Sequence, residues 1–194
     1  RANLSKDYFV NRQDRYLWIK NVPHLSSFLE DVGTIFIDIY SSNNIHNSEV
    51  AIKSIYAKYK KMEQLIEGAL AFVPAFNIPM LGIQESTSIV SALLNGTEIS
   101  NRRITVVTPY FNPCPKIFFN ANTRNLRIIT ASPPCNSFFK AKGFKSLIPR
   151  FYRLNLRDFA FKRPNSELYE YCRKDWTFHA KGIFLTDGPE TIFP

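Results

Sequence analysis

Two short apolar stretches decide the fold: Ile-Thr-Val-Val-Thr at residues 104–108 and Leu-Arg-Ile-Ile-Thr at residues 126–130. Both are rich in β-branched residues, and a loop rich in proline or asparagine follows each, which predicts two strands. Aromatic and branched residues predict two more strands, at 15–20 and at 176–185, where the sequence reads Trp-Thr-Phe-His-Ala-Lys-Gly-Ile-Phe-Leu. The chain is therefore expected to contain a sheet.

Helices are predicted between these strands. Apolar residues at helical spacing, with capping residues at the ends, predict helices over 23–39, 48–68, 86–95 and 136–148. The polar stretch 41–47 is expected to be a turn and a linker. Strands that alternate with helices favour an α/β sandwich, in which helices pack on a sheet.

Positive charge is concentrated in one part of the 194 residues. The chain carries 25 Lys and Arg against 16 Asp and Glu, a net charge of +9. Residues 116–163 alone carry 11 basic side chains and a single acidic one, Asp158, a net charge of +10. Such a segment attracts phosphates on a nucleic acid, an anionic membrane or a small substrate. The alternative is a solvated basic face without a ligand.

Several classes of protein are disfavoured. No uninterrupted apolar run approaches the roughly 18 residues that a membrane span needs. Three cysteines, Cys114, Cys135 and Cys172, lie far apart without a CxxC motif, which argues against a disulfide framework or a zinc ribbon. There is neither a Gly-rich phosphate loop nor a G-x-S-x-G motif, so a P-loop enzyme or a serine hydrolase finds no support.

One pair of residues suggests phosphate chemistry. His179 and Lys181 are two apart in a predicted strand, so both side chains would point to the same face. Imidazole can attack phosphorus or protonate a leaving oxygen, and an ammonium group stabilises charge on the other phosphoryl oxygens. On its own an H-x-K pair is common, and the alternative is an exposed strand face.

Four blocks of sequence make the interpretation of this pair more specific. They are, in chain order, residues 2–16, 108–112, 131–143 and 176–182. Together they resemble the mitochondrial phosphatidylglycerophosphate synthases of the phospholipase D superfamily. In that superfamily two similar halves each supply an H-x-K-x4-D motif and a downstream G-S-x-N-like motif. The resemblance implies a phospholipase D-like sandwich, a mixed sheet flanked by helices, with pseudo-two-fold halves that are incomplete here.

The resemblance also implies a domain organisation. Residues 1–47 would end the first half, 48–67 would form a connecting helix, and 68–194 would form most of the second half. The first H-x-K would lie just before Arg1 and the second G-S-x-N just after Pro194. The chain is therefore expected to be an internal piece of a longer enzyme, inactive by itself.

Candidate site residues follow from the same resemblance. His179 and Lys181 match the second H-x-K, whereas the acidic position of that motif falls on Thr186, with Asp187 one residue late. Asn3 matches the asparagine of the first G-S-x-N-like motif and would bind substrate phosphate together with Lys181.

Asp14 matches the carboxylate that orients a catalytic histidine in this superfamily. The assignments of Asn3 and Asp14 both have alternatives. Asn3 can instead cap a turn, and Asp14 can pair with Arg12 or Arg15 on the surface.

The implied reaction transfers a phosphatidyl group from CDP-diacylglycerol to sn-glycerol 3-phosphate and releases CMP. It would run through a phosphohistidine without metal or cofactor, and whether His179 is the nucleophile or the general acid stays open. The implied location is the mitochondrial inner membrane, with peripheral contact to anionic lipid and no nucleic-acid partner. Two alternatives remain: a phospholipase D-like phosphodiesterase or nuclease, and a non-catalytic basic module that binds lipid or nucleic acid.

Overall fold

The computed structural model describes residues 6–14, 19–42, 45–60, 75, 77–78, 83–96, 102–118 and 125–186. The chain divides into two compact units. One unit comprises Trp18–Ser88, and the other combines Arg1–Leu17 with Ile89–Pro194.

The unit Trp18–Ser88 is built on two helices, α2 (Pro23–Ser42) and α3 (Ile45–Lys60). Ile35 of α2 and Ile52 of α3 are buried in one small apolar cluster. The helix predicted from residue 23 is thus confirmed. The linker predicted at 41–47 is wrong for most of its length, because α2 continues through residue 42 and α3 begins at residue 45. Serine and asparagine cost little inside a helix, and packing of the apolar faces outweighs that cost.

The remaining helices and strands are mostly short. A helical turn, α1 (Asp7–Val10), precedes β1 (Arg12–Gln13), and a second helical turn, α5, spans Pro115–Phe118. In the helical unit β2 (Asn77–Ile78) pairs antiparallel with β3 (Ile83–Gln84), and α4 (Glu85–Asn95) follows at once. The predicted helix at 86–95 is confirmed and begins one residue earlier.

A four-stranded sheet forms the larger unit. Its strands are β4 (Arg103–Val107), β5 (Leu126–Ala131), β6 (Glu167–Tyr171) and β8 (Gly182–Thr186), in the order β6-β5-β4-β8. β4, β5 and β6 are parallel, whereas β8 pairs antiparallel with β4. The strands predicted at 104–108 and 126–130 are confirmed to within one residue.

One face of this sheet carries the main core. Alternate residues of β4 and β5 point into it and pack against helix α6 (Ile148–Lys162) and the loop after β4. The buried members are Leu94, Ile104, Val106, Phe111, Leu126, Ile128, Leu156 and Phe159. Helices packed on a mixed sheet confirm the α/β class.

The helix predicted at 136–148 is wrong. This stretch contains turns and a 3-10 helix (Gly143–Leu147), and the α-helix that follows, α6, begins at Ile148. Gly143 has φ +63°, a left-handed conformation that interrupts an α-helix. Lys140, Lys142 and Lys145 of this stretch are exposed.

The strand predicted at 176–185 is interrupted in the middle. β7 (Thr177–Phe178) pairs in parallel with β1, and β8 joins the large sheet, so the chain changes partner strands between Phe178 and Gly182. The strand predicted at 15–20 is not seen at Ile19 or Lys20, and its other residues lie outside the described ones. Within the described part of the chain, no helix is long and apolar enough to cross a membrane.

Truncating Phe159 is expected to destabilise the larger unit strongly. Its side chain is fully buried and packs edge-to-face on Phe111, with ring centroids 5.2 Å apart. Phe159→Ala should cost about 3–5 kcal/mol, measured by chemical denaturation of the whole protein. Phe161→Ala, on the same helix but 86% exposed, should cost less than about 0.5 kcal/mol. Equal losses would contradict this assignment of the core.

Candidate functional site

The pairing of β1 with β7 places the N-terminal segment beside His179. The backbone N–H of Thr177 donates to Asn11 O at 2.9 Å, and the N–H of His179 donates to Gln13 O at 2.7 Å. These bonds join residues more than 160 positions apart in the sequence. Because Asp14 follows β1 directly and His179 follows β7 directly, their side chains meet at the ends of the paired strands.

His179 is held by a carboxylate. Its Nδ1 lies 3.1 Å from Asp14 Oδ2, and the two side chains are 21% and 19% exposed. A carboxylate only accepts hydrogen bonds, so the tautomer that satisfies this contact carries the proton on Nδ1 and the lone pair on Nε2. In that tautomer Nε2 is the ring nitrogen that could act on a ligand.

Lys181 lies against the same imidazole. Its Nζ is 3.1 Å from both ring nitrogens of His179, Nδ1 and Nε2, and donates a hydrogen bond to His179 O at 2.9 Å. The predicted proximity of the two side chains is present, although both residues lie in the break between β7 and β8 rather than in one strand. An ammonium group next to the reactive nitrogen suits a phosphoryl group, whose negative oxygens would surround the attacked phosphorus.

Two tyrosines enclose the imidazole, and the sequence patterns do not reveal their role. The rings of Tyr8 and Tyr110 stand edge-on to His179, with centroids 5.4 and 5.9 Å from its ring centroid. The Tyr8 hydroxyl is also 3.1 Å from His179 Nδ1. Both tyrosines lie in sequence blocks that carry the family resemblance, which was the available signal. Together they restrict the ring and shield it from water.

A hydroxyl contact extends from Tyr110 into the loop after β5. The hydroxyl of Tyr110 hydrogen-bonds Ser137 Oγ, and its ring lies 5.7 Å from that of Tyr152. Burial raises the pKa of Tyr152, and the nearby Tyr110 adds to the increase, so Tyr152 stays neutral. Asn136, 2% exposed, fixes this loop by donating to Pro109 O.

The site lies where the carboxyl ends of parallel strands meet. Tyr110 follows β4, Ser137 follows β5, and the loop at 172–176 follows β6. In open α/β sheets this edge is the usual place for a ligand, because the loops after the strands diverge there.

The other candidate residues are distributed differently. Asn3 and Asp187 lie outside the described residues. Thr186 ends β8, opposite Arg103 of β4. Among the residues that the structure describes, no three His, Cys, Asp or Glu side chains are grouped to hold a metal ion.

The chain is similar in fold to the crystal structure of phosphatidylserine synthase from Haemophilus influenzae, with a TM-score of 0.50 and 18% identity, over 84% of this chain and 42% of that chain. No protein-family model matches the chain.

Curated enzymes from several organisms are similar over 95% of the chain. It is 27% identical to the mitochondrial CDP-diacylglycerol–glycerol-3-phosphate 3-phosphatidyltransferase of Bos taurus and 28% identical to the enzyme so named in Saccharomyces pastorianus. It is 24% identical to a probable enzyme of the same name in Dictyostelium discoideum. The alignments cover 43%, 45% and 40% of these relatives, so the chain spans less than half of their length. The chain is thus a homologue of enzymes named CDP-diacylglycerol–glycerol-3-phosphate 3-phosphatidyltransferase.

Proposed function

We propose that the whole protein transfers a phosphatidyl group from CDP-diacylglycerol to sn-glycerol 3-phosphate, giving phosphatidylglycerophosphate and CMP. The observation that carries the proposal is the histidine whose Nδ1 contacts Asp14 and whose Nε2 lies beside Lys181. That arrangement suits nucleophilic or acid–base work on phosphorus. The names of the curated homologues supply the substrates.

The proposed mechanism has two steps on two histidines, His179 and one from another part of the whole protein. In the first step, the nucleophilic imidazole forms a nitrogen–phosphorus bond as the diphosphate P–O bond breaks, and the other histidine protonates the departing CMP oxygen. In the second step, that histidine removes the proton from a glycerol 3-phosphate hydroxyl. The hydroxyl oxygen then attacks phosphorus and releases the first imidazole.

Each remaining candidate residue has a role in this scheme. Lys181, and Asn3 by resemblance, would bind the non-bridging phosphoryl oxygens, and Asp14 would keep the proton on Nδ1. The scheme belongs to a phospholipase D-like fold with two pseudo-symmetric halves, in which residues 1–47 close the first half and 68–194 form most of the second. It requires neither metal nor cofactor.

His179→Ala should abolish CMP release from CDP-diacylglycerol, because among the residues that the structure describes no other imidazole lies at that position. We expect a loss of at least about 10³-fold in kcat. His24→Ala, which removes an exposed histidine, should retain wild-type turnover. Full turnover in His179→Ala would overturn the catalytic assignment and favour a non-catalytic basic module.

Acceptor dependence separates the transferase from a phosphodiesterase. CMP release by the wild-type protein should require glycerol 3-phosphate and yield phosphatidylglycerophosphate, detected by mass spectrometry. Equal CMP release without the acceptor, accompanied by phosphatidic acid, would identify a hydrolytic enzyme of the same superfamily instead.

Asp14→Asn should lower kcat by roughly 10²–10⁴-fold with little change in KM, because an amide can stabilise the wrong tautomer of His179. Asp14→Glu should restore part of the activity, and the pH profile of kcat should shift in the asparagine variant. Asp158→Asn, on the exposed face of α6, is the matched control. A loss confined to KM would argue that Asp14 serves binding and not the orientation of His179.

Membrane contact is the second part of the proposal, and helix α6 supplies a surface for it. Large apolar side chains are exposed on the side of α6 that faces away from the core: Phe151 at 59%, Leu154 at 55% and Phe161 at 86%. Phe144, in the 3-10 helix just before, is 90% exposed. We call these four residues, three phenylalanines and one leucine, the aromatic ridge.

Positive charge surrounds the aromatic ridge. Arg150, Arg153 and Arg157 are exposed on the same helix, which contains a single acidic residue, Asp158, paired with Lys162 at 2.7 Å. Exposed apolar groups within basic surroundings fit an anionic lipid surface, which offers negative headgroups above an apolar interior. The location that the homologues' names suggest is the mitochondrion, and we propose contact with its inner membrane.

Phe151→Ser with Phe161→Ser should weaken binding of the whole protein to vesicles that contain phosphatidylglycerol by about 10-fold or more, since each buried phenyl group contributes roughly 1.5–3 kcal/mol. Co-sedimentation with anionic and with neutral vesicles measures this binding. Ile37→Ser, equally apolar and 68% exposed on α2, is the control. Unchanged binding of the double variant would show that another surface, or no surface, meets the membrane. A change of oligomeric state would instead identify the ridge as a protein contact.

A further inference from the structure

A cavity of about 450 Å³ lies beside the His179 site and has no role in the mechanism above. It is formed by β1, the loop after β5 and the loop after β6. The lining residues on which the argument depends are Arg12, Phe139, Lys140, Arg173, Lys174 and Trp176.

The cavity shares its walls with the histidine site. Arg12 Nε donates to Thr177 Oγ1 at 3.2 Å, and its guanidinium carbon lies 4.5 Å from the ring centroid of Tyr8, which contacts His179. On the other side Ser137, a lining residue, hydrogen-bonds Tyr110, which also contacts His179. The cavity is therefore separated from the imidazole by the side chains of Tyr8 and Tyr110.

The charge of the lining selects an anion. Four lining side chains are cationic and one, Asp175, is acidic. Cationic groups on different walls can surround a phosphate chain from several directions.

Aromatic rings add a second kind of recognition. Trp176 lies in the wall with the guanidinium of Arg173 stacked 3.8 Å from its ring centroid, and Phe139 is 48% exposed. Aromatic rings and a guanidinium plane are the groups on which nucleobases stack in proteins. Glycerol 3-phosphate has no planar group to use such a wall, and it would fill only a small part of the volume.

The wall that carries these groups is held in place. The backbone N–H of Arg173 donates to Cys135 Sγ at 3.2 Å, and the Cys135 thiol donates to Arg173 O at 3.3 Å. A tight turn then brings the Trp176 N–H 3.1 Å from Arg173 O, with Asp175 at φ 62°. Asparagine, aspartate and glycine tolerate this conformation best, so the turn is locally encoded.

We infer that this cavity binds the nucleotide part of the liponucleotide, a pyrimidine nucleoside diphosphate, with the phosphates on the cationic side chains and the base against Trp176 or Phe139. The inference rests on the proposed function, because it identifies where that substrate's leaving group lies. After transfer, CMP would occupy the same cavity before it is released.

The test compares three ligands and two test variants of the whole protein, with Lys145→Ala as a control variant. Isothermal titration measures binding of CMP, inorganic phosphate and glycerol 3-phosphate. Arg173→Ala with Lys140→Ala should weaken CMP binding by about 10-fold or more. It should raise KM for CDP-diacylglycerol and leave KM for glycerol 3-phosphate unchanged. Lys145→Ala, exposed in the same basic segment but outside the cavity, should match the wild type.

Trp176→Ala with Phe139→Ala separates a nucleotide site from a simple anion site. It should weaken CMP binding and leave the binding of inorganic phosphate unchanged. A rise of KM for glycerol 3-phosphate alone would overturn the inference and make the cavity the acceptor site, and unchanged CMP binding in both variants would overturn it altogether.

The two proposals can fail separately. Suppose that the wild type binds CMP but makes no phosphatidylglycerophosphate, and that the variants lose CMP binding. The cavity is then a nucleotide site and the proposed function is wrong. If turnover is normal and CMP binding is unaffected, only the cavity assignment is wrong.

Discussion

The structure depends on one short parallel pairing, in which two residues of β1 lie beside two residues of β7. Two backbone hydrogen bonds, from Thr177 and His179 to the segment at 11–13, close a loop of more than 160 residues. Closing so long a loop is entropically costly, and two bonds alone would not compensate for it. The larger sheet, its core and the ring contacts of Tyr8 therefore have to hold the two segments together, and the contact of Asp14 with His179 depends on that sum rather than on the pairing itself.

The break between β7 and β8 explains why the reactive side chains lie where they do. A continuous strand would place His179 on one face of a flat ladder, at the edge of a single sheet. Instead the chain leaves β1 at His179 and joins β4 at Gly182, so the imidazole lies between the two sheets. Tyr110, which follows β4, and Tyr8 then both stand edge-on to its ring. Changing strand partners thus creates a recess without a long insertion.

Local patterns in the sequence predict part of this arrangement. β4 and β5 are found because β-branched runs in a buried strand are unambiguous, and the H-x-K spacing indicates the residue pair. The proximity of Asp14 to His179 is a long-range contact that no local pattern contains; only the family resemblance indicated it. The sequence pattern does not predict helix α6. Its apolar residues lie on all sides of the helix, because Phe151, Leu154 and Phe161 are exposed, and the buried stripe of Leu156 and Phe159 therefore does not stand out.

The basic segment 116–163 also has a more divided role than its net charge suggests. Arg127 binds Glu167 of the neighbouring strand at 2.7 Å, and that hydrogen bond lowers the pKa of Glu167. At pH values above the usual pKa of a glutamate, this pair stabilises the sheet. The stabilisation is lost as the pH falls through the lowered pKa of Glu167.

Charge from the same segment reaches two other surfaces. Lys140 lines the cavity beside the histidine, whereas the arginines of α6 surround the aromatic ridge on the opposite side of that helix from the core. A liponucleotide has its phosphates at the boundary between water and lipid. An enzyme that acts on it needs cationic groups both at the reacting phosphorus and at the bilayer, and a single run of sequence that supplies both places them at a fixed distance from each other. Under the proposed function, the positions of these basic groups would therefore matter as much as their net charge.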